Sequence, residues 1–352
     1  MKEERPMIQF QCDYSEGAHP RIIEKLVETN FEQTVGYGED EYCDLARKEI
    51  RKACQCESAD VHFLVGGTQT NFTVISSILR PYQGVICANE GHINVHETGA
   101  VEACGHKVLA LSSRDGKISA KQIKTYCDAH ANDDSFEHIV QPGMVYLSQP
   151  TELGTLYTRK ELVEISEVCH EVNIPLFVDG ARLGYGLMAA GNDVTLKDMA
   201  CLCDVFYIGG TKVGALFGEA VVITNDKLKK DFRYMIKQKG GMLAKGRLLG
   251  IQFLTLFEDG LYMELGAHAI GLANKIRETL DVCGVSYLVE NTTNQIFPIL
   301  KDSEIEILGK DFTYCYQQRI DEQRSAIRLC TSWATKEESV DELCKKIKEI
   351  LN

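Results

Sequence analysis

Two stretches decide the fold of this chain: Ile174-Pro175-Leu176-Phe177-Val178-Asp179-Gly180-Ala181-Arg182 and Val205-Phe206-Tyr207-Ile208-Gly209-Gly210-Thr211-Lys212. Each begins with an apolar run of the length of a buried strand, which leads to Asp179 in the first stretch and to Lys212 in the second. Because open α/β sheets bind ligands beyond the carboxyl ends of their strands, both side chains are predicted to face one crevice. An acid and a lysine together suit pyridoxal phosphate, whose pyridine nitrogen needs an acid and whose aldehyde needs a lysine. The alternative is that Asp179-Gly180 forms an ordinary turn and that Lys212 is a solvated surface lysine. Other motifs of the chain are needed to distinguish these two interpretations.

A glycine-rich segment is predicted to bind phosphate. The strand-like run Val61-His62-Phe63-Leu64-Val65 precedes Gly66-Gly67-Thr68-Gln69-Thr70-Asn71, and a helix is predicted over residues 71–79. Free N–H groups and the dipole at a helix N-terminus favour an anion, and glycine lets the backbone approach it closely. The pattern is neither a Walker loop nor a dinucleotide-binding turn. The alternative is an ordinary helix start.

A histidine follows the predicted strand over residues 84–88, within the stretch Asn89-Glu90-Gly91-His92-Ile93-Asn94-Val95-His96-Glu97. A histidine just beyond a strand end can stack on a cofactor ring, which makes His92 a candidate. The alternative is a surface histidine.

Strands and helices alternate from about residue 61, which predicts a mainly parallel, doubly wound α/β sheet. Its predicted strands are residues 61–65, 84–88, 107–111, 144–147, 175–178, 205–208 and 218–224. Residues 10–42 are predicted to form an arm and a loop outside the core. A long helix over 243–278 is predicted to lead to strands at 285–289, 295–300 and 326–331 and to a last helix at 336–351. We therefore expect an N-terminal arm and a large cofactor-binding α/β domain over residues 1–240, and a linking helix and a small α+β domain over residues 241–352.

Composition excludes several classes of function. The net charge of −13 argues against a nucleic-acid partner, and no apolar run approaches the roughly 18 residues of a membrane span. The first residues lack the apolar core of a signal peptide, so a cytoplasmic location is expected. The fourteen cysteines include no Cys-x-x-Cys pair, and we expect reduced thiols and no metal site.

These motifs together resemble the L-threonine aldolases of the β-eliminating lyase group, which are pyridoxal-phosphate enzymes of fold type I, the aspartate-aminotransferase-like fold. The resemblance extends from about residue 8 to residue 335. It rests on Gly67-Thr68-Gln69-Thr70-Asn71, Phe177-Val178-Asp179-Gly180-Ala181-Arg182 and Gly210-Thr211-Lys212, with support from Tyr37-Gly38-Glu39-Asp40, Gly240-Gly241-Met242 and Ile327-Arg328-Leu329.

The resemblance implies a set of site residues. Lys212 would bind the aldehyde of the cofactor, Asp179 its pyridine N–H, and Arg182 would lie near its phenolate oxygen. Phosphate would be held by Gly67, Thr68 and Gln69, and His92 would stack on the ring with Glu97 behind it. Arg328 would bind the substrate carboxylate, and Ser15 and Tyr37 would help to line the site, Tyr37 either in its own subunit or in a neighbouring one.

The sequence departs from the best-known members of the family in two places. Their histidine after the strand Val145-Tyr146-Leu147-Ser148 is replaced here by Gln149-Pro150-Thr151-Glu152, which makes Thr151 and Glu152 candidates for substrate binding. Their arginine after Gly-Gly-Met is replaced by Leu243-Ala244-Lys245-Gly246-Arg247, which leaves Lys245 or Arg247 as a phosphate ligand. At both places the sequence is more similar to a branch of the family that includes phenylserine-type aldolases.

The expected reaction is cleavage of L-threonine, L-allo-threonine or a related β-hydroxy-α-amino acid to glycine and an aldehyde, with Lys212, His92 and Asp179 as catalytic residues. The base for the β-hydroxyl proton is His92, Glu152 or an ordered water. An aminotransferase and a β-eliminating lyase are alternatives on the same fold, and a non-catalytic binding protein is a third. The family resemblance also implies a homo-oligomer, a dimer or a tetramer, with active sites shared between subunits.

Overall fold

The computed structural model describes residues 6–351, and within them the strands form three sheets. In chain order the strands are β1 (Ile8–Gln9), β2 (Asp60–Leu64), β3 (Gln83–Ala88), β4 (Lys107–Leu111), β5 (Gln141–Ser148), β6 (Leu176–Asp179), β7 (Val205–Gly209), β8 (Glu219–Ile223), β9 (Gln295–Ile296), β10 (Ile299–Lys301), β11 (Phe312–Thr313), β12 (Cys315–Arg319) and β13 (Arg324–Cys330).

The helices precede, separate and follow these strands. They are α1 (Pro20–Glu28), α2 (Glu41–Cys54), α3 (Gly67–Ile78), α4 (His92–Val95), α5 (Ala100–Ala103), α6 (Ala120–Ala131), α7 (Arg159–Glu171), α8 (Leu183–Met188), α9 (Leu196–Leu202), α10 (Asp226–Lys229), α11 (Phe232–Gln238), α12 (Arg247–Phe257), α13 (Leu261–Val282), α14 (Asp302–Leu308) and α15 (Glu337–Leu351). Not one of these helices is both long enough and apolar enough to cross a bilayer.

The large sheet has the strand order β2-β8-β7-β6-β5-β3-β4. Its neighbours from β4 to β7 pair in parallel, while β8 runs antiparallel to both β7 and β2. Alternate side chains enter two different cores, as β5 shows: Val145 and Leu147 pack on one face of the sheet, and Met144 and Tyr146 on the other. The strands are therefore apolar on both faces, as the sequence predicted for a doubly wound sheet.

A smaller sheet lies near the C-terminus. In it β13 pairs antiparallel with β10, β12 and β9. Its apolar residues pack against α13, α14 and α15 in a third core cluster. This arrangement confirms a mainly parallel α/β sheet accompanied by a smaller C-terminal sheet, while the predicted boundary near residue 240 stays a prediction.

The seven predicted strands of the large sheet are confirmed, with ends that shift by up to three residues. The single long helix predicted over residues 243–278 is wrong, because the chain forms α12 and α13 with a break between them. Gly260 has a φ of +77° in this break, a left-handed conformation that ends one helix and starts the next.

Two other predictions need correction. Residues 285–289 do not form a strand; an isolated bridge joins Tyr287 to Pro298, and Val285 and Tyr287 pack against the core cluster of the smaller sheet. Residues 10–42 are not wholly outside the core, because Phe10, Asp13 and Ile22 are fully buried. The N-terminal strand β1 pairs in parallel with β11, which attaches the start of the chain to its C-terminal part.

Gly250 lets helices α12 and α2 approach closely. An ideal Cβ at this position would lie 2.6 Å from both the backbone N and the Sγ of Cys43. Alanine usually stabilises a helix by about 1 kcal/mol relative to glycine. If alanine at this position lowers the stability of the protein, the loss must therefore come from the contact between α12 and α2. We expect Gly250→Ala to lower the free energy of unfolding by about 2 kcal/mol in urea denaturation.

The matched control for this substitution is Gly271→Ala in α13. No described atom lies within 4 Å of an ideal Cβ at that position, so its free energy of unfolding should rise slightly. A G250A protein as stable as the unchanged chain would contradict the close contact.

Candidate active site

A cleft opens at the carboxyl ends of β6 and β7, where the two charged residues were predicted. Its inner cavity has a volume of about 380 Å³. The predicted site residues that line this inner cavity are Gly67, Thr68, His92, Glu152, Asp179, Arg182 and Lys212. An outer cavity of about 630 Å³ shares His92, Glu152, Arg182 and Lys212 with it and adds Arg328. The fold thus brings eight predicted residues into one continuous cleft.

Asp179 is a buried carboxylate held by three donors. Its Oδ2 accepts hydrogen bonds from the Tyr146 hydroxyl at 2.6 Å and from Asn71 Nδ2 at 3.1 Å, and its Oδ1 accepts one from the Ala181 N–H at 2.9 Å. Burial alone would raise the pKa of Asp179, but the charge of His92 and the hydrogen bonds together lower it. The carboxylate is therefore ionised at neutral pH and able to keep a nearby ring nitrogen protonated.

The position of Asp179 follows from the period of two along β6. Phe177 packs against Tyr146 and Tyr207 on the face of the sheet that α3 covers. Two residues later, Asp179 points to the same face. Asn71 reaches it from α3.

Lys212 is a partly buried lysine that follows the next strand. Burial and the charge of Arg182 lower the pKa of Lys212, and Asp13, Asp179 and Glu219 oppose this shift. A lowered pKa leaves more of the amine neutral, which is the form that attacks a carbonyl group. The Tyr185 hydroxyl donates to the Lys212 carbonyl oxygen and fixes the backbone of this residue.

Arg182 forms a buried bidentate ion pair with Asp13, from the far N-terminal part of the chain. The distances are 2.7 Å from Nε to Oδ2 and 3.0 Å from Nη2 to Oδ1. Asn294 also donates to Asp13 Oδ2, at 2.9 Å. The pair fixes the guanidinium plane at the wall of the inner cavity, because both of its bonds have a defined geometry.

His92 is oriented by a second buried acid. Its Nδ1 lies 2.7 Å from Glu97 Oε1, which also accepts a hydrogen bond from Asn71 Nδ2 at 2.7 Å. Burial opposes protonation, but the Glu97 hydrogen bond and the charges of Asp179 and Glu97 raise the pKa of His92. Asn71 therefore links the carboxylate of Asp179 to the carboxylate that orients the histidine.

The glycine turn, residues 66–68, has the properties of an anion site. Gly66 precedes α3 and provides no side-chain cap, and no described residue accepts a hydrogen bond from the N–H groups of Gly67, Thr68 or Gln69. An ideal Cβ on Gly67 would lie 3.1 Å from the Tyr207 hydroxyl, so a larger residue would crowd the cavity. These N–H groups are available to a phosphate.

Arg328 and Glu152 flank the outer part of the cleft. Nη2 of Arg328 donates to the Gln11 carbonyl oxygen at 3.2 Å, while its Nε is buried and has no partner among the described residues. Glu152 Oε1 accepts hydrogen bonds from Ser148 Oγ at 2.7 Å and from the His92 N–H at 2.9 Å. Burial raises the pKa of Glu152, although the Ser148 hydrogen bond opposes the shift.

Seven predicted residues do not line either cavity. Two of them are Glu97, whose Oε1 lies 2.7 Å from His92 Nδ1, and Arg247, which donates to the backbone carbonyl oxygens of Glu32 and Asn30. The side chain of Gln69 bonds to the Val65 N–H and the Lys239 carbonyl oxygen, and the Thr151 hydroxyl pairs with that of Thr155. The others are Ser15, which is exposed; Tyr37, whose ring lies 4.7 Å from Lys237 Nζ; and Lys245, which is exposed. Their roles stay predictions.

Several residues of the site were missed by the sequence reasoning. Asn71 is four residues after Gly67 and hence on the same side of α3, a signal that was available. Tyr146 is two residues before Ser148 on β5, another such signal. Asp13, Tyr14 and Glu219 also line or support the inner cavity, and no local pattern points to them.

The residues present fit pyridoxal phosphate. An ionised buried acid, a partly buried amine of lowered pKa and an uncapped glycine turn are the three groups that its pyridine nitrogen, aldehyde and phosphate require. They line a single cavity.

The ion pair between Asp13 and Arg182 gives a testable pH dependence. Burial would raise the pKa of Asp13, but the charges of Arg182 and Lys212 and the hydrogen bonds from Arg182 and Asn294 lower it from 3.8 to about 2. A lowered pKa in the folded state adds stability above the unfolded value of 3.8, and this stability is lost as the pH falls towards 2. The shift corresponds to about 2 kcal/mol, of which about half is lost by pH 3.

We therefore expect Asp13→Asn to destabilise the protein strongly at pH 7, by about 3 kcal/mol, because Arg182 would be left unpaired. The difference in free energy of unfolding between the two proteins should shrink by about 1 kcal/mol from pH 6 to pH 3 in urea titrations. Asp302→Asn, which affects an exposed pair with Arg319, is the control and should show a small difference. A D13N difference that stays constant with pH would refute this role of the pair.

Comparisons with known proteins agree with this geometry. The family model described as beta-eliminating lyase matches residues 9–303. A low specificity L-threonine aldolase from a Pseudomonas species is 30% identical over 351 residues, which cover 98% of each chain, and one from Pseudomonas aeruginosa is 30% identical over 350 residues. The structure of Leishmania major threonine aldolase superposes with a TM-score of 0.95 at 44% identity and covers 98% of this chain and all of that one. An aspartate aminotransferase from Thermus thermophilus, with a TM-score of 0.71 and 14% identity, shows the fold alone. The chain therefore belongs to the beta-eliminating lyase family, in its L-threonine aldolase group.

Proposed function

We propose that the protein is a pyridoxal-phosphate-dependent lyase that cleaves L-threonine, L-allo-threonine or a related β-hydroxy-α-amino acid to glycine and an aldehyde. The observation that carries the proposal is the presence of Asp179, which is buried, and Lys212, which is partly buried, in one cavity at the ends of adjacent parallel strands. The relatives over the full length of the chain are L-threonine aldolases, which supports the reaction.

The cofactor would be held by residues of the inner cavity. Lys212 would bind its aldehyde, Asp179 its pyridine N–H and the glycine turn its phosphate, with Arg182 and His92 beside the ring. When bound, pyridoxal phosphate accepts the electron pair that is released when a bond to Cα breaks. Asp179 supports this chemistry because its lowered pKa keeps a proton on the neighbouring nitrogen rather than on the carboxylate.

The substrate carboxylate would bind Arg328. The Nε of this guanidinium is buried and has no partner among the described residues. It is therefore a hydrogen-bond donor for which the described residues supply no acceptor. A planar fork suits a carboxylate. With the carboxylate in the outer cavity and the amine directed to Lys212, the Cα–Cβ bond would lie between the two parts of the cleft.

Two side chains can accept the β-hydroxyl proton at that position. His92 uses Nδ1 for Glu97, which leaves Nε2 for a substrate. Glu152 uses Oε1 for Ser148 and His92, which leaves Oε2. Because Glu152 belongs to the segment that replaces the histidine of well-known family members, its carboxyl group would also influence which substituent is accepted at Cβ.

We further propose a cytoplasmic homo-oligomer of two or four chains. Val27, Phe31 and Val35 expose large apolar side chains close together in sequence, and Phe31 is 95% exposed, which indicates a surface that a second copy would cover. All fourteen cysteines are free thiols, as a reducing compartment requires. Sedimentation equilibrium of the loaded protein measures the number of chains.

The first test of the reaction is aldehyde release from L-threonine, L-allo-threonine and L-phenylserine by the loaded protein. We expect acetaldehyde or benzaldehyde with stoichiometric glycine, and a loss of about 10³-fold or more in Lys212→Ala. Lys197→Ala, an exposed lysine of α9, is the control and should retain full activity. A keto acid formed with amino transfer would instead indicate an aminotransferase, and pyruvate with ammonia an elimination; either result without aldehyde would refute the proposal.

Arg328→Lys tests the carboxylate site while keeping the charge. Loss of the planar fork should raise the KM for L-threonine by about tenfold or more, with a smaller change in kcat, because the contact is made in both ground and transition states. Arg324→Lys on the same strand, where Arg324 pairs with exposed Asp321, is the control and should keep the KM of the unchanged chain. Equal KM values for R328K and R324K would place the carboxylate elsewhere.

A further inference from the structure

Glu219 is a buried acid of the inner cavity that neither the family motifs nor the proposed reaction assigns. Its side chain is 3% exposed. It begins β8, where it pairs with Leu64 of β2 on one side and with Gly209 of β7 on the other. Since β2 leads into the glycine turn and β7 leads into Lys212, Glu219 lies between the predicted phosphate site and the predicted aldehyde site.

The Glu219 carboxyl group is held by the loop that carries Lys212. Its Oε2 accepts a hydrogen bond from the Gly210 N–H at 3.2 Å, and its Oε1 accepts one from Thr211 Oγ1 at 3.0 Å. Thr211 Oγ1 in turn accepts from the Gly218 N–H at 3.0 Å. When it is protonated, the Glu219 carboxyl group has an O–H that can donate a hydrogen bond to an anionic oxygen.

The titratable groups that act on Glu219 electrostatically come from several of the elements around it: Lys212 from the loop after β7, Asp179 from β6, Tyr207 from β7 and Tyr262 from α13. Burial raises the pKa of Glu219 to about 8; Lys212 and the Thr211 hydrogen bond oppose the shift, and Asp179 adds to it. Lys212 is the cation in this set. A phosphate group would add negative charge to the same cavity, and like charges favour the neutral form of an acid.

We propose that Glu219 takes up a proton when a phosphate group binds at the glycine turn, so that cofactor binding and protonation of this carboxyl group are one linked event. The inference rests on the proposed function, because it assumes that the turn binds the phosphate of pyridoxal phosphate. It assigns Glu219 a role in cofactor retention: above the pH at which Glu219 ionises, its carboxylate repels the phosphate and the affinity falls.

The test uses pyridoxine phosphate, which has the ring and phosphate of the cofactor but no aldehyde to react with Lys212, and pyridoxine, which lacks the phosphate. Dissociation constants are measured by calorimetry on the apo full-length protein from about pH 7.5 to about pH 9.5, where the phosphate remains dianionic. Over this pH range the Kd for pyridoxine phosphate should rise by a factor that is about ten times larger in the unchanged chain than in Glu219→Gln. The Kd for pyridoxine should depend on pH equally in both proteins.

Glu164→Gln is the matched control, since it makes the same change in net charge at an exposed position of α7. It should keep the pH dependence of the unchanged chain. An E219Q protein that also keeps this pH dependence would overturn the inference.

Proton uptake by the unchanged chain provides a measurement that does not need the variant to fold. Calorimetric titrations at about pH 8.5, in two buffers of different ionisation enthalpy, give the number of protons taken up per ligand. More protons should be taken up with pyridoxine phosphate than with pyridoxine; equal numbers would overturn the inference while leaving the cofactor proposal intact. A folded protein that binds no pyridoxine phosphate would overturn the proposed function and, with it, this inference.

Discussion

The ionised carboxylate of Asp179, buried at the end of a strand, is the constraint on which the rest of the site depends. An unpaired charge in a protein interior costs several kcal/mol, so its surroundings must supply donors and opposite charge. They come from three separate elements: Tyr146 on β5, Asn71 on α3 and the backbone after β6. The charge therefore fixes these elements relative to one another. Because Asn71 also bonds Glu97, the same network orients His92, and the surroundings of the cofactor ring are set before a cofactor binds.

The sheet explains why these groups can meet. Parallel strands all end at one edge, so the residues after β2, β5, β6 and β7 face a common crevice, although they are far apart in sequence. The period of two along each strand then selects which side chains point to α3. The antiparallel strand β8 is inserted between β2 and β7, and its first residue, Glu219, therefore reaches the crevice from a strand that runs the other way.

Much of this site could be predicted from the sequence, and there is a physical reason why some of its residues could be predicted and others could not. Asp179, Lys212 and the glycine turn each follow a recognisable strand, so local pattern is enough to place them at the crevice. Asp13 pairs with Arg182 across 169 residues, and no local pattern carries that information. The break at Gly260 was missed because a glycine with positive φ inside an apolar helical pattern leaves the pattern almost unchanged. Arg328 was found through the family motif, whereas its unpaired Nε is visible only when the packing around it is known.

We propose that the two parts of the cleft have different roles in binding a substrate. Lys212 and Arg182 line both cavities, Asp179 and Glu219 line the inner one, and Arg328 adds positive charge to the outer one. An amino acid held by its carboxylate at Arg328 and directed by its amine to Lys212 has two fixed points, so the substituents on Cα are restricted in rotation. His92 and Glu152 line both cavities and are bonded to each other through the His92 N–H, so they meet the substrate between those fixed points. A β-hydroxyl group placed there would meet a proton acceptor, and we therefore expect cleavage between Cα and Cβ rather than transfer of the amine.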